Sequence, residues 1–68
     1  MVPKIGSRYL LWYSPYPSFF RNERQEYVGS GIYSGKSTIQ SDGLILYWFD
    51  DHSGNPIGWF SSDDIFFL

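Results

Sequence analysis

Four side chains within one short turn are the chain's best candidates for chemistry. They are Asp50, Asp51, His52 and Asn55. Carboxylates, an imidazole and an amide oxygen can all bind metals, but calcium takes about six to eight oxygens and zinc about three or four good ligands. One histidine beside two adjacent acids falls short of either set. The sequence therefore favours a solvated turn and predicts no metal site.

The same histidine is the main candidate for acid–base catalysis. His52 is the only histidine of the chain, which has no cysteine. No serine is recognisable as its nucleophilic partner, and the acids cluster in turns instead of facing one another across a cleft. We therefore predict that the protein is not an enzyme and uses no cofactor. A symmetric oligomer that assembles a site from several copies is the alternative.

A second motif resembles a nucleotide-binding sequence. Ser34–Thr38 reads SGKST, like the end of a phosphate-binding loop, and Leu44–Asp51 resembles the strand and acid that would hold magnesium. The phosphate loop needs a glycine where Ser30 stands, and a helix must follow its lysine. The turn signal at Ser41–Gly43 leaves no space for that helix. Nucleotide binding is therefore not predicted.

Aromatic residues are the most unusual part of the composition. Six Phe, six Tyr and three Trp make up 22% of 68 residues. With no disulfide available, so short a chain must be stabilised by packing, and each ring can bury about 150–250 Å². A short barrel holds only about a dozen interior side chains. Several rings should therefore remain at least partly outside.

The charges are divided unevenly along the chain. Residues 1–36 hold all five Lys and Arg with two acids, whereas residues 37–68 hold five acids and no Lys or Arg. The net charge of −2 is too weak to indicate DNA mimicry and has the wrong sign for unspecific phosphate binding. Such a layout is compatible with a mildly cationic rim, or with solvated loops of either sign.

The length leaves room for one domain spanning residues 1–68. No apolar run approaches the roughly 18 residues of a membrane span, and the N-terminus lacks an apolar signal segment. We therefore expect a soluble, cytoplasmic protein.

The apolar alternation predicts five strands and almost no α-helix. The predicted strands are Arg8–Tyr13, Tyr27–Tyr33, Leu44–Phe49, Ile57–Phe60 and Ile65–Leu68. A single helical turn over Ser61–Asp64, capped by Ser61 or Ser62, precedes the last strand. Ser34-Gly35 predicts a tight turn after the second strand, with Ser37–Gln40 continuing extended or pairing locally.

The segment Ser14–Glu26 is predicted to be a long irregular loop. Pro15 and Pro17 oppose a regular ladder, and we expect Phe19 and Phe20 to fold back onto the body. Long loops on small scaffolds often carry function, so this loop is a candidate contact surface.

Leu46–Leu68 resembles the small barrels of the Src-homology-3 and Tudor type. Its apolar run with Phe-Asp-Asp, its Gly-Asn turn and its Ser-Ser-Asp-Asp-Ile corner are similar to the Tudor pattern, as is the opening Ile5-Gly6-Ser7. GWFSSDDI also resembles the Src-homology-3 ending. The resemblance implies an all-β fold, a small five-stranded Src-homology-3-like (Tudor-like) barrel with one short helical turn before the last strand.

The resemblance also implies a candidate ligand site. Tudor domains hold methylated Arg or Lys in an aromatic cage through cation–π attraction. The matching positions are Tyr13, Tyr27, Phe49, His52 and Asn55. His52 stands where a further aromatic is expected, and Ser53 is a one-residue insertion in the turn. In the structural alternative these rings simply cap one end of the barrel.

Src-homology-3 relatives bind proline-rich peptides beside acidic loops. Arg21 and Arg24 stand alongside Glu23 and Glu26 in the first loop, so that acidic element is not reproduced. Proline-rich peptide binding is therefore disfavoured.

These observations favour a binding module that docks on a protein partner through exposed aromatics and the long first loop. Interfaces are enriched in Tyr, Trp, Phe and Arg. The candidate residues are Tyr13, Tyr16, Phe19, Phe20, Arg21, Arg24, Tyr27, Trp48 and Trp59, with Tyr33 as a further outer-face candidate. Modules of this size are typical of assembly subunits and of phage-encoded proteins that dock on host factors.

The alternative is a nucleic-acid-binding barrel. In that hypothesis Tyr and Phe rings stack on bases and the cations follow phosphates. The cations are Lys4, Arg8, Arg21, Arg24 and Lys36. Five cations against seven acids make this alternative harder. The oligomeric state stays open.

Overall fold

A computed structural model describes residues 1–13 and 26–68, which form five antiparallel strands and one 3₁₀ turn. The strands are β1 (Arg8–Tyr13), β2 (Glu26–Ile39), β3 (Ile45–Asp50), β4 (Pro56–Ser61) and β5 (Ile65–Phe67). The 3₁₀ turn, Ser62–Asp64, lies between β4 and β5. The predicted all-β fold with one helical turn before the last strand is confirmed. In the described ranges no helix has the length and apolarity needed to cross a membrane.

All five strands belong to one sheet in the order β4-β3-β2-β1-β5. The long strand β2 pairs with β1 through its first half and with β3 along its second. Register shifts interrupt both pairings, between Leu11 and Trp12 and between Tyr33 and Ser37. Such shifts bend a strand and increase its twist, and here they accompany a sheet that curves around a single core.

The core draws buried apolar side chains from every strand. They are Tyr9, Leu11, Tyr33, Tyr47, Phe49, Phe60 and Ile65. Phe49 is completely buried, with ring centroids 6.2 Å from Tyr9, 5.7 Å from Tyr33 and 5.9 Å from Phe60. The hydroxyl of Tyr9 accepts a hydrogen bond from the backbone N–H of Lys4 at 2.7 Å, so its polar end is satisfied despite burial.

The prediction that the second strand ends at Tyr33 is wrong, because β2 continues to Ile39. Ser34-Gly35 makes a bulge in the ladder and does not reverse the chain. Gly35 supplies the positive φ of 95°, which side chains disfavour. The Ser34 hydroxyl donates to the carbonyl of Trp48 at 2.9 Å and accepts from the N–H of Lys36 at 3.3 Å. These bonds replace ladder contacts that the bulge interrupts.

The corner before β5 agrees with the prediction in place but differs in its capping. Ser61 occupies the N-cap position without a side-chain bond to the backbone of the turn. Its hydroxyl instead lies 3.4 Å from Oδ2 of Asp64, and both residues are buried. The serine therefore solvates a buried carboxyl group.

Candidate functional site

The outer face of β3 and β4 carries a pair of tryptophans, hereafter the tryptophan pair, Trp48 and Trp59. The two residues are direct cross-strand partners. Their ring centroids are 5.1 Å apart with the planes at 74°, a favourable edge-to-face arrangement. Side chains alternate along a strand, so the burial of Phe49 and Phe60 places their neighbours Trp48 and Trp59 on the opposite face. Trp59 is 43% exposed.

Asp50 fixes the orientation of one indole. The indole Nε1–H of Trp48 donates to Oδ1 of Asp50 at 3.0 Å, two residues further along the same strand. A hydrogen bond to a carboxylate is stronger than a neutral one, and it restrains rotation of the Trp48 ring against which Trp59 packs. The tryptophan pair is therefore a pre-organised apolar surface with a carboxylate at its margin.

A second aromatic cluster, hereafter the β1 cluster, lies on the outer face of β1, β2 and β5 and consists of Trp12, Tyr27 and Phe66. Trp12 has its ring centroid 5.2 Å from Tyr27 and 6.3 Å from Phe66. Tyr27 and Phe66 are 55% and 41% exposed. Trp12 and Phe66 were not among the predicted site residues. The sequence did carry a signal for this cluster. Both faces of the first strand are apolar, so the face turned away from the core also needs apolar neighbours.

The residues proposed for an aromatic cage do not converge. Tyr27 pairs with Trp12 across the ladder, whereas Tyr13 takes the register position opposite Glu26, one step along. Successive residues face opposite sides of a sheet, so Tyr13 and Tyr27 lie on different faces. Phe49 has no exposed surface and is a core residue, not a cage wall. The β1–β2 register skips Val28, and this bulge determines which face of the sheet Tyr27 occupies.

The polar side chains of the turn between β3 and β4 form hydrogen bonds within the turn itself. Oδ1 of Asp51 accepts backbone N–H bonds from Ser53 and Asn55, both at 2.8 Å, and Oδ2 lies 3.3 Å from the Asn55 amide nitrogen. The backbone N–H of Asn55 is the main cause that lowers the pKa of Asp51 below its ordinary 3.8, with smaller help from Ser53 and His52. Asn55 is thus a structural partner of Asp51.

The remaining candidate chemistry is dispersed. His52 is exposed in the turn, and no group of three or more His, Cys, Asp or Glu within residues 1–13 and 26–68 could hold a metal ion. Tyr33, an outer-face candidate from the sequence, is a core residue because its ring packs on Tyr47 and Phe49. Five candidates lie outside the described residues. They are Tyr16, Phe19, Phe20, Arg21 and Arg24.

The charge around the tryptophan pair is predominantly negative. Both strands that carry it belong to residues 37–68, which contain five Asp and no Lys or Arg. Asp50 and Asp51 are half-buried near its margin and Asp63 is exposed beyond the end of β4. Two described cations lie near this part of the sheet. Lys36 belongs to the β2 bulge opposite Trp48, and Arg8 pairs with Ile32, which in turn pairs with Asp50. One strand therefore separates Arg8 from Asp50.

The chain matches no protein-family model, no curated protein and no solved structure. The geometry and charge of the outer face of the sheet therefore carry the functional proposal.

Proposed function

We propose that this chain is a non-enzymatic binding module of the cytoplasm that docks on a protein partner through the aromatic outer face of its sheet. The tryptophan pair is the observation that carries the proposal. Two large rings stand together on an exposed sheet surface. Tryptophan is among the residues most enriched in the energetic centres of protein interfaces.

Pre-organisation supports this assignment. Binding usually requires that interface side chains be immobilised, at about 0.5–1.5 kcal/mol for each flexible one. The indole of Trp48 is already held by Asp50 and packed against Trp59. Little rotamer freedom remains to be lost on contact with a partner, so the burial of these rings would contribute fully to affinity.

The charge distribution favours a protein partner over nucleic acid. A nucleic-acid surface combines stacking rings with cations that follow the phosphates. Here the exposed rings of β3 and β4 are accompanied by aspartates from the half of the chain without Lys or Arg. Phosphates would be repelled from these rings, and a salt titration of any RNA or DNA binding tests this directly.

The β1 cluster extends the proposed docking surface towards the first loop. Trp12 and Tyr27 stand one residue from the ends of the described ranges, at Tyr13 and Glu26. The loop candidates Tyr16, Phe19, Phe20, Arg21 and Arg24 lie outside the described residues, and we propose that they contact the same partner. This contribution of the loop stays a prediction.

The test is affinity capture from native cells with three forms of the protein: wild type, Trp59→Ser, and Ile39→Ser as the matched control. Ile39 is also an exposed apolar side chain, at the far end of β2. All three forms must first give the same circular dichroism spectrum. A partner retained by wild type and Ile39→Ser but lost by Trp59→Ser supports docking through the tryptophan pair.

Two results would contradict the proposal. The first is a partner captured equally by Trp59→Ser, which would place the interface elsewhere. The second is the absence of any partner enriched by the wild-type protein. A parallel capture with Phe19 and Phe20 both changed to Ser tests the loop contribution in the same way.

A further inference from the structure

We infer that the tryptophan pair together with Asp50 recognises a cationic side chain, an arginine presented by a basic segment of the partner. This inference rests on the proposed docking function and deepens it by naming the chemistry of the partner. It concerns Trp48, Trp59 and Asp50. None of these belongs to the cage positions that the Tudor resemblance implies.

The first support is the combination of ring faces with a carboxylate. Indole is the aromatic ring that attracts cations most strongly, and the two indoles cross at 74°, so their π-faces cannot all be covered by each other. Asp50 uses Oδ1 for the indole of Trp48. Within the described residues no hydrogen bond or ion pair engages its Oδ2, so one carboxylate oxygen beside the rings is available to a donor.

The second support is charge complementarity. Strand β3, the two turns that flank it and the 3₁₀ turn contain acids, and neither they nor β4 contain a Lys or Arg. No described cation lies within ion-pair distance of Asp50. Arg8, in the same row of the sheet, is separated from it by Ile32. Lys36 stands in the β2 bulge opposite Trp48, but the carboxylate of Asp50 has no Lys or Arg partner among the described residues and is the negative group that a basic partner would meet.

Arginine fits this arrangement better than lysine. The guanidinium group is planar, stacks on an aromatic face and can still donate in its own plane to a carboxylate. An ammonium group is more strongly hydrated and cannot stack. A guanidinium group can stack on the ring of Trp59 while one of its N–H groups donates to Oδ2 of Asp50. Such binding uses the rings and the carboxylate together.

The experiment is a nuclear magnetic resonance titration of the ¹⁵N-labelled protein, which follows the indole Nε1–H signals of its three tryptophans. The probe is the acetylated, amidated peptide Gly-Arg-Gly-Arg-Gly, and the comparison peptides replace Arg with Gln or with Lys. We expect the Arg peptide to shift the signals of Trp48 and Trp59 and to leave Trp12 unchanged. The Gln peptide should shift none, and the Lys peptide should bind more weakly.

A matched pair of variants isolates the role of the carboxylate. Asp50→Asn keeps an oxygen that can accept the indole N–H, and it removes the charge. Asp42→Asn removes the same charge from the β2–β3 turn and keeps an acceptor for the N–H of Leu44, which Asp42 Oδ1 accepts at 2.9 Å. We expect Asp50→Asn to weaken the Arg peptide about two- to fivefold, as an exposed cation–π and carboxylate contact would, and Asp42→Asn to leave it unchanged.

Three results would overturn the inference: equal shifts with the Gln peptide, equal binding of the Lys peptide, or equal weakening by the two variants. The docking function can fail separately. If Trp59→Ser loses its cellular partner but the Arg peptide shifts neither Trp48 nor Trp59, docking stands and the cationic partner is wrong. If Trp59→Ser retains the partner, docking through the pair fails whatever the peptides do.

Discussion

The inner and outer faces of this sheet both carry aromatic pairs of similar geometry, but only the inner pairs exclude water. On the inside, Phe49 lies 5.9 Å from Phe60 in an edge-to-face contact. On the outside, Trp48 lies 5.1 Å from Trp59 in the same kind of contact. Phe60 is buried and its neighbour Trp59 is 43% exposed. Contact between rings therefore does not by itself mark the core.

The difference shows what each face contributes. Core rings stabilise the fold by removing apolar area from water, and among residues 1–13 and 26–68 seven buried residues form that cluster. The outer rings remove less apolar area from water, because each stays partly open to solvent, and they therefore stabilise the fold less. Their partial exposure matches the expectation that so small a sheet cannot enclose all of its aromatic rings. We propose that the exposed rings meet a partner.

The largest contrast should come from two adjacent residues of β4. Phe60→Ala removes a buried ring and should destabilise the protein by about 3–5 kcal/mol, enough to unfold much of so small a domain. Trp59→Ala removes an exposed ring and should lower the free energy of unfolding by only about 0.5–1.5 kcal/mol. Urea denaturation followed by circular dichroism measures both. Equal losses of stability in the two variants would contradict the distinction between the inner and outer faces.

The next effect concerns Gly31, a described position of the inner face with no room for a side chain. A Cβ at Gly31 would lie 2.6 Å from Cδ1 of Leu11 and 3.0 Å from Cδ1 of Ile57. Gly31→Ala should therefore cost about 1–3 kcal/mol through overpacking. Ser30→Ala, at the exposed preceding position, is the control and should change stability little. A tolerated Gly31→Ala would mean that the core beneath it is loosely packed.

Much of this inner face is predictable from the sequence, because alternation along β1 and β3 is regular. The first strand, Arg8–Tyr13, has the bounds expected from its pattern. Alternation also separates Trp48 from its neighbours Tyr47 and Phe49. It cannot say which of the two faces is the core, so it does not exclude the cage role that the Tudor resemblance implies for Phe49, which is buried.

The features that sequence reasoning missed depend on bulges. A bulge adds one residue and reverses the parity of every position beyond it. The shift at Leu11/Trp12 brings Tyr27 beside Trp12, where unbroken alternation offers no such pairing. The shift after Tyr33 keeps β2 in the sheet where Ser34-Gly35 predicted a turn. Neither shift has a local sequence signal beyond the glycines that permit it.

A smaller effect tests whether the outer pair is a unit. A double-mutant cycle with Trp48→Ala and Trp59→Ala should give a coupling energy of about 0.5–1.5 kcal/mol, because the two rings are in edge-to-face contact. The control cycle combines Trp59→Ala with Ile39→Ala, which lies on a strand not adjacent to β4, and should give no coupling. Additive effects in the first cycle would mean that the two indoles do not support each other.

The smallest effect is a pH dependence at the margin of the outer pair. The pKa of Asp51 is lowered below 3.8 in the folded protein, mainly by the N–H of Asn55. Its stabilising contribution is therefore present above pH 3.8 and is lost as the pH falls through the folded pKa. Asp51→Asn should flatten this acid limb of the stability curve. An unchanged acid limb in Asp51→Asn would contradict the role assigned to this turn.

Binding affinity measured beside fold stability tests the docking claim most directly. Once a partner is identified, calorimetric titration of wild type and Trp59→Ser gives both dissociation constants, with thermal unfolding as the check on the fold. We predict that Trp59→Ser binds at least about tenfold more weakly, as expected for a tryptophan at an interface centre, while remaining folded at the titration temperature. An affinity equal to that of the wild type, in a folded variant, would contradict the account.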